Sequence, residues 1–431
     1  MGESSVMTHG PLRICLLTYR GNPRSGGQGI YVRLLSKELT ALGHHVDVWS
    51  GQPYPELLPG VGMVPVPSLD LWNEKALFRT PSLGELLDPI NLREWAKTRI
   101  GGFPEPLTFS QRVARRFANS QAINYDVVHD NQCLGPGLLA IQRRVPVVAT
   151  IHHPITVDRR IAYQSARTAK DRFGLRQFYS FLPTQLHVSR QLERVLTVSE
   201  ASKTDLHREY GVSLDRMRVV GNGINLEVFA PMPEVARKRD QLITTLSADA
   251  PLKGFRFLLD ALYRLRRTRK SLHLVVIGKL GEKTDTRERV RNLGLSEAIT
   301  FTGHVAVEDI ARHYAESAIA IVPSLYEGFG FPAGEAMACE VPVVSTRAGA
   351  LPEVVGRDGE TGVLVDPGSG EALAIAIAEL LDHPERAAAI GRAGRQRVLR
   401  EFTWRRAAER TVDAYRDAME IRHRQVGGIA C

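Results

Sequence analysis

The stretch IAIVPSLYEGFGFPAGEAMAC, residues 319–339, carries two carboxylates, Glu327 and Glu335, with seven residues between them, three of which are glycines and one a proline. Its first part, IAIVPS (Ile319–Ser324), is an apolar run of strand length and reads as a short buried strand. Its last part, Gly334 to Cys339, reads as helix. The glycines between suit neither element's interior, and Pro332 falls near the first helical position, where its missing N–H leaves no hydrogen bond unmade. The stretch is therefore a strand-to-helix corner, the basic joint of a parallel α/β domain.

The same alternation extends in both directions. On either side of the corner lie QLITTLS (Gln241–Ser247), LHLVVIGK (Leu272–Lys279), ITFTGHV (Ile299–Val305) and PVVST (Pro342–Thr346), with helical patterns between them. The first half repeats the scheme. LRICLLTY (Leu12–Tyr19) is followed by a glycine loop, a helix from about Ile30 to Leu42, and HHVDVWS (His44–Ser50). YDVVH (Tyr125–His129), PVVATIH (Pro146–His152) and RVLTVS (Arg194–Ser199) follow. Pro231 and Pro233 mark the linker. The expected architecture is α/β, two Rossmann-like domains over residues 1–228 and 240–408. A long amphipathic helix, from about Trp404 to Arg424, closes the chain. Residues 53–106 interrupt the alternation with a proline-rich insert, which reads as functional, for example as a wall of a substrate site.

The chain has 431 residues, of which 43% are hydrophobic and 24% charged, ample for a real core. No apolar run reaches the roughly 18 residues that span a bilayer, and MGESSVMTHG lacks the apolar centre of a signal peptide. Cys15, Cys133, Cys339 and Cys431 are scattered without metal-ligand spacing, which favours a reducing cytoplasm over a disulfide framework. The net charge of +9 invites a nucleic-acid reading. However, the arginines fall in dispersed pairs without a nucleic-acid-binding motif, so solvated helix faces account for most of them and no nucleic-acid partner is expected. An anionic membrane surface stays open as a peripheral contact. The segment RQFYSFLPTQLHVSRQL (Arg176–Leu192) fits either lipid contact or a buried amphipathic helix.

In open α/β sheets, ligands bind beyond the carboxyl ends of the strands. The residues that follow each strand are therefore the candidates. Arg20 and a loop with Gly26 and Gly27 follow the first strand, and His152 and His153 follow PVVATI. Ser247 and the PLKG turn with Lys253 follow QLITTL, and Glu327 follows IAIVPS. Taken singly, each has a plain alternative. The glycine loop lacks the full dinucleotide fingerprint, Lys253 alone reads more readily as a solvated loop lysine, and His152 as a satisfied core histidine. Glu327, beside a buried strand end, needs a partner.

The stretch PSLYEGFGFPAGEAMACEVPVVSTRAGALPEVVG (Pro323–Gly356) resembles the signature of family-four retaining glycosyltransferases. GGQGIYV, VVATIHHP, VLTVSEASKTDL, VVGNGIN, LKGF and TGVLVDP resemble that family's other segments, in order along nearly the whole chain. The resemblance implies a GT-B fold, with two Rossmann-like domains facing across a cleft and a C-terminal helix (about 409–431) returning to the first. It implies no cofactor and no metal. The partners are a nucleotide-diphosphate sugar donor, with GDP-mannose and UDP-glucose the leading candidates, and a hydroxyl acceptor in a glycan, a lipid-linked sugar or a small molecule. It further implies that Glu327 contacts the donor sugar, Glu335 the ribose and Lys253 the diphosphate. The backbone of Gly328, Phe329, Gly330 and Phe331 would line the donor. Gly26 and Gly27 would approach the phosphates, and His152 would lie near the reacting sugar. One departure stands out: the family's usual phosphate-binding arginine, six residues before the lysine, is here Ser247, and a hydroxyl does not replace a charged fork. Lys279, Arg20 and Arg24 are candidate substitutes. The rival reading is a non-catalytic nucleotide-sugar-binding protein on the same fold. The expected location is the cytoplasm, with the inner membrane face open as a peripheral site.

Overall fold

Short, mostly buried strands build two parallel sheets in the computed structural model, which describes residues 10–22, 27–73, 76–119, 124–166, 168–246, 251–279, 285–303 and 305–427. The chain divides into two compact units. One comprises Met1–Val198, Lys203–Val220 and Ala407–Cys431, the other Ser199–Ser202 and Gly221–Arg406.

The first unit holds β1 (Arg13–Thr18), β2 (His45–Ser50), β3 (Gly62–Pro65), β4 (Val127–Asn131), β5 (Val147–Ile151), β6 (Arg194–Thr197) and β7 (Met217–Val219). They pair in the order β3-β2-β1-β4-β5-β6-β7, all parallel. Every residue of β4, β5 and β6 is buried, as expected where helices cover both faces of a parallel sheet. The insert is more ordered than its composition suggests. It supplies edge strand β3 and the helices Leu83–Leu86 and Pro89–Arg99. Glu94, on the second of these, is fully buried and pairs with Arg112 at 2.7 Å, accepts the Thr108 hydroxyl at 2.7 Å and takes the Leu69 N–H at 3.3 Å. That ion pair, satisfied on several sides as a buried charge must be, ties the insert to the helix Glu105–Asn119. The 176–192 segment buries Phe181, Leu182, Val188 and Leu192 in this unit's core.

The second unit holds β8 (Lys238–Thr245), β9 (His273–Ile277), β10 (Ile299–Phe301), β11 (Ser317–Val322), β12 (Val343–Thr346) and β13 (Val363–Val365). The order β10-β9-β8-β11-β12-β13 is that of a dinucleotide-type doubly wound sheet, whose direction of winding reverses between its first and fourth strands. Here those strands are β8 and β11, which pair through Ile319 with Leu242 and Ala320 with Ile243.

By their contacts, residues 221–228 group with the second unit. There the Ile224 N–H donates to the Phe402 carbonyl at 2.8 Å, and Phe229 packs against Tyr314. The closing helix spans Trp404–Gly427, and from Ala407 onward it belongs to the first unit. Tyr415, fully buried, places its hydroxyl 2.6 Å from His129 Nδ1, and Asp417 meets Arg218 at 2.9 Å. Arg422 donates to the carbonyls of Gln142 and Arg143. Tyr415→Phe removes the hydrogen bond to His129 and nothing else, so it is expected to cost about 1 kcal/mol of stability. A denaturation midpoint equal to wild type would show that this bond does not hold the helix. Among the described residues no helix is long and apolar enough to cross a membrane.

Candidate active site

Lys253 and Glu327 are 74 residues apart in the chain, and sheet order makes them neighbours. One follows β8 and the other follows β11, the two strands flanking the reversal point. The Lys253 ammonium lies 2.8 Å from Glu327 Oε1. The same oxygen accepts the Ser324 hydroxyl at 2.8 Å. The turn that presents Lys253, Pro251–Lys253, is held by the Leu325 N–H donating to the Leu252 carbonyl at 2.7 Å. Gly254 then starts the helix Phe255–Arg266 at φ 62°, and a Cβ there would stand 1.9 Å from the Pro323 carbonyl oxygen. Only glycine lets the two loops close to this distance.

Beyond Glu327 the chain turns as the sequence suggests. Gly330, at φ 109°, is the N-cap of the helix Phe331–Ala338, and Pro332 lies in its first turn. The helix begins three residues earlier than the Gly334 start read from the sequence, because Pro332 fits its first turn. The Gly328 carbonyl accepts the hydroxyls of Ser199 at 2.8 Å and Ser202 at 3.1 Å. Phe329 is buried against Phe331 and Phe402. Among the described residues, the N–H groups of Gly328, Phe329 and Gly330 have no hydrogen-bond partner, so this corner presents free donors at a helix N-terminus.

Glu335 projects from the first turns of that helix. Burial pushes its carboxyl up to about 7, and a hydrogen bond from the Tyr314 hydroxyl offsets part of the rise. Tyr314 is itself anchored by Thr245, at 3.0 Å. Tyr314, Thr245 and Ser324 are neighbours of the candidate residues that sequence reading missed. Ser324 ends the quoted apolar run and was legible as a polar residue at a strand end. Tyr314 lies on the helix Val307–Glu316, where nothing in the pattern marks it.

In the first unit, His152 follows β5. Its backbone N–H donates to Gln132 Oε1 at 2.8 Å and its Nε2 lies 2.8 Å from Asn131 Oδ1. Because the Asn131 amide nitrogen donates to the Gln28 carbonyl, Oδ1 is left to accept, and His152 Nε2 carries the proton. Burial, and secondarily the charge of His153, pulls His152 down to about 3, so the ring is neutral at ordinary pH. Tyr31 packs edge-on against it at 4.7 Å. Gly27 is the first residue of the helix Gly27–Ala41, with open space where a Cβ would stand.

Of the candidate substitutes for the absent arginine, Arg20 is engaged elsewhere. It grips Glu105 through two bonds of 2.6 and 3.0 Å. Lys279 is exposed just past β9, the neighbour of β8. Arg24, Gly26 and Ser247 lie outside the described residues.

Comparison with known proteins gives one answer. A family profile described as "Glycosyltransferase Family 4" matches residues 25–228, and one described as "Glycosyl transferases group 1" matches residues 231–397. The MMP alpha-(1->4)-mannosyltransferase of Mycolicibacterium hassiacum is 44% identical over 410 residues, covering 95% of this chain and 98% of that protein. The D-inositol 3-phosphate glycosyltransferase 2 of Catenulispora acidiphila is 27% identical, covering 96% and 98%. Among solved structures, sucrose-phosphate synthase from Thermosynechococcus elongatus superposes with a TM-score of 0.69 at 23% identity, over 95% of this chain and 100% of that one. Anabaena HepE, in complex with UDP and glucose, superposes with a TM-score of 0.66 at 18% identity, over 93% and 98%. Both have the same fold as this chain.

Proposed function

The chain belongs to glycosyltransferase family 4, a family of GT-B enzymes, and from that premise we propose that it moves a mannosyl group from a nucleoside-diphosphate mannose to a sugar hydroxyl with retention of configuration. The observation that carries this reading is the Lys253–Glu327 ion pair at the mouth of a glycine corner whose following helix carries Glu335. Mannose is favoured over glucose, and a 4-hydroxyl acceptor over others, by the name of the relative at 44% identity. GDP-mannose is the leading donor. Nucleoside-diphosphate mannose carries its sugar in the α configuration, so an α-(1→4) product means retention.

In the proposed mechanism the acceptor hydroxyl attacks the face from which the diphosphate departs, through an ion pair of oxocarbenium character. The departing phosphate oxygen takes the acceptor's proton. The protein's part is to stabilise charge developing on the leaving group, which suits the Lys253 ammonium and the free N–H groups of Gly328, Phe329 and Gly330. Glu335 would accept the ribose hydroxyls, and Glu327 those of the sugar. His152, neutral and held by Asn131, would contact the reacting sugar, and Gly27, with open space beside it, would approach the phosphates. Cationic side chains and helix ends take the part a divalent cation plays elsewhere. Incubating the protein with GDP-mannose or UDP-glucose, a mannoside with a free 4-hydroxyl and EDTA tests this. The expected product is an α-mannoside from GDP-mannose, identified by its anomeric proton. A β product, or transfer abolished by EDTA, contradicts the mechanism.

Glu335 also sets a pH dependence. A carboxyl near 7 accepts from two ribose hydroxyls with both oxygens, and with full charge, only when ionised, so affinity is full above that value and falls as pH drops through it. Nucleoside diphosphate is expected to bind about tenfold more weakly at pH 6 than at pH 8, the ratio of ionised fractions for a group near 7. Glu335→Gln should lose most of that slope, leaving only the phosphate's own titration. An equal slope in both proteins would remove Glu335 from the ribose.

A further inference from the structure

The Lys253–Glu327 contact gives the sugar-side carboxylate a second task. An ammonium assigned to a diphosphate is here bound at 2.8 Å by a carboxylate of the same site. Both side chains are mostly sheltered, 25% and 13% exposed, so the pair is less screened than one on the surface. The carboxylate cannot easily turn away, because the Ser324 hydroxyl holds the same oxygen and the Glu327 carbonyl accepts the Ala350 N–H at 2.9 Å. Lys253 has the longer, more flexible side chain, so it is the partner that moves.

We propose that Glu327 is the built-in counter-ion of Lys253: it holds the ammonium when the donor site lacks a diphosphate, yields it when one binds, and takes it back to expel the product nucleotide. This rests on the donor-site reading above and deepens it. A diphosphate entering the site must win Lys253 from Glu327, so each binding event breaks one ion pair to make another. With a full donor bound, the sugar hydroxyls offer Glu327 replacement partners and the exchange is compensated. With the nucleoside diphosphate alone, Glu327 is left without them. The device therefore discriminates against the product, which is what turnover requires of an enzyme whose product retains most of the donor's binding groups.

The test is a double-mutant cycle read by calorimetry at pH 8, with GDP or UDP, whichever wild type binds more tightly, as the probe. Glu327→Gln keeps the shape and the Ser324 hydrogen bond while removing the charge, so folding is not at stake, and matched thermal melts check that. The expected result is that Glu327→Gln binds the nucleoside diphosphate roughly twofold to fivefold more tightly than wild type, the scale of releasing a partly screened ion pair, while its turnover falls. In a Lys253→Gln background the same change should leave the affinity unaltered. Unchanged or weaker binding by Glu327→Gln overturns the proposal. So does equal tightening in both backgrounds, which would mean that Glu327 merely repels phosphate. Should Lys253→Gln alone bind the nucleoside diphosphate as wild type does, the donor-site reading fails too, a result distinct from failure of the counter-ion role alone.

Discussion

Replacing Lys253 by alanine is expected to lower turnover at saturating donor by about a hundredfold or more, the scale for losing one group that stabilises charge formed in the transition state. Arg20, held by Glu105 through two hydrogen bonds, is not free to take its place. Steady-state rates at saturating donor and acceptor check this. A variant within about threefold of wild type would exclude Lys253 from the chemistry.

The glutamates should part company in a second experiment. Glu335→Gln is expected to weaken nucleoside diphosphate and full donor to similar extents, by roughly 1.5–3 kcal/mol, the value of hydrogen bonds to a charged acceptor. The two losses should match because the ribose is common to both ligands. Glu327→Gln should cost the nucleoside diphosphate nothing, and by the ion-pair argument tighten it, while weakening the sugar nucleotide and depressing turnover. The difference follows from their positions: Glu327 precedes the glycine corner and is tied to Lys253, whereas Glu335 lies past it on the helix Phe331–Ala338, beside Tyr314.

The corner itself was legible residue by residue, because Pro332 and the glycines dictate the backbone whatever surrounds them. The longer strands were legible too, since burial on both faces writes itself as an unbroken apolar run. Three strands left no such trace. β7 and β13 are three residues long, and β3 alternates half-buried and exposed residues at the sheet edge, inside a proline-rich insert. Nor does the proline pair show that Ile224 and Phe229, on either side of residue 228, bond and pack against Phe402 and Tyr314. Contacts between distant residues were the least visible. That Glu327 meets Lys253, or that Tyr415 meets His129 across 286 residues, depends on strand order and on the return of the last helix, neither of which any local pattern encodes.

The central claim is that the corner from Glu327 to Glu335 in the second unit holds the nucleotide of a sugar donor. Titrating the nucleoside diphosphate calorimetrically into wild type, Glu335→Gln and Glu327→Gln at pH 8 tests it most directly. The predicted result is a loss of about tenfold or more in Glu335→Gln and none in Glu327→Gln. Equal losses in the two variants, or wild-type affinity in Glu335→Gln, would contradict it.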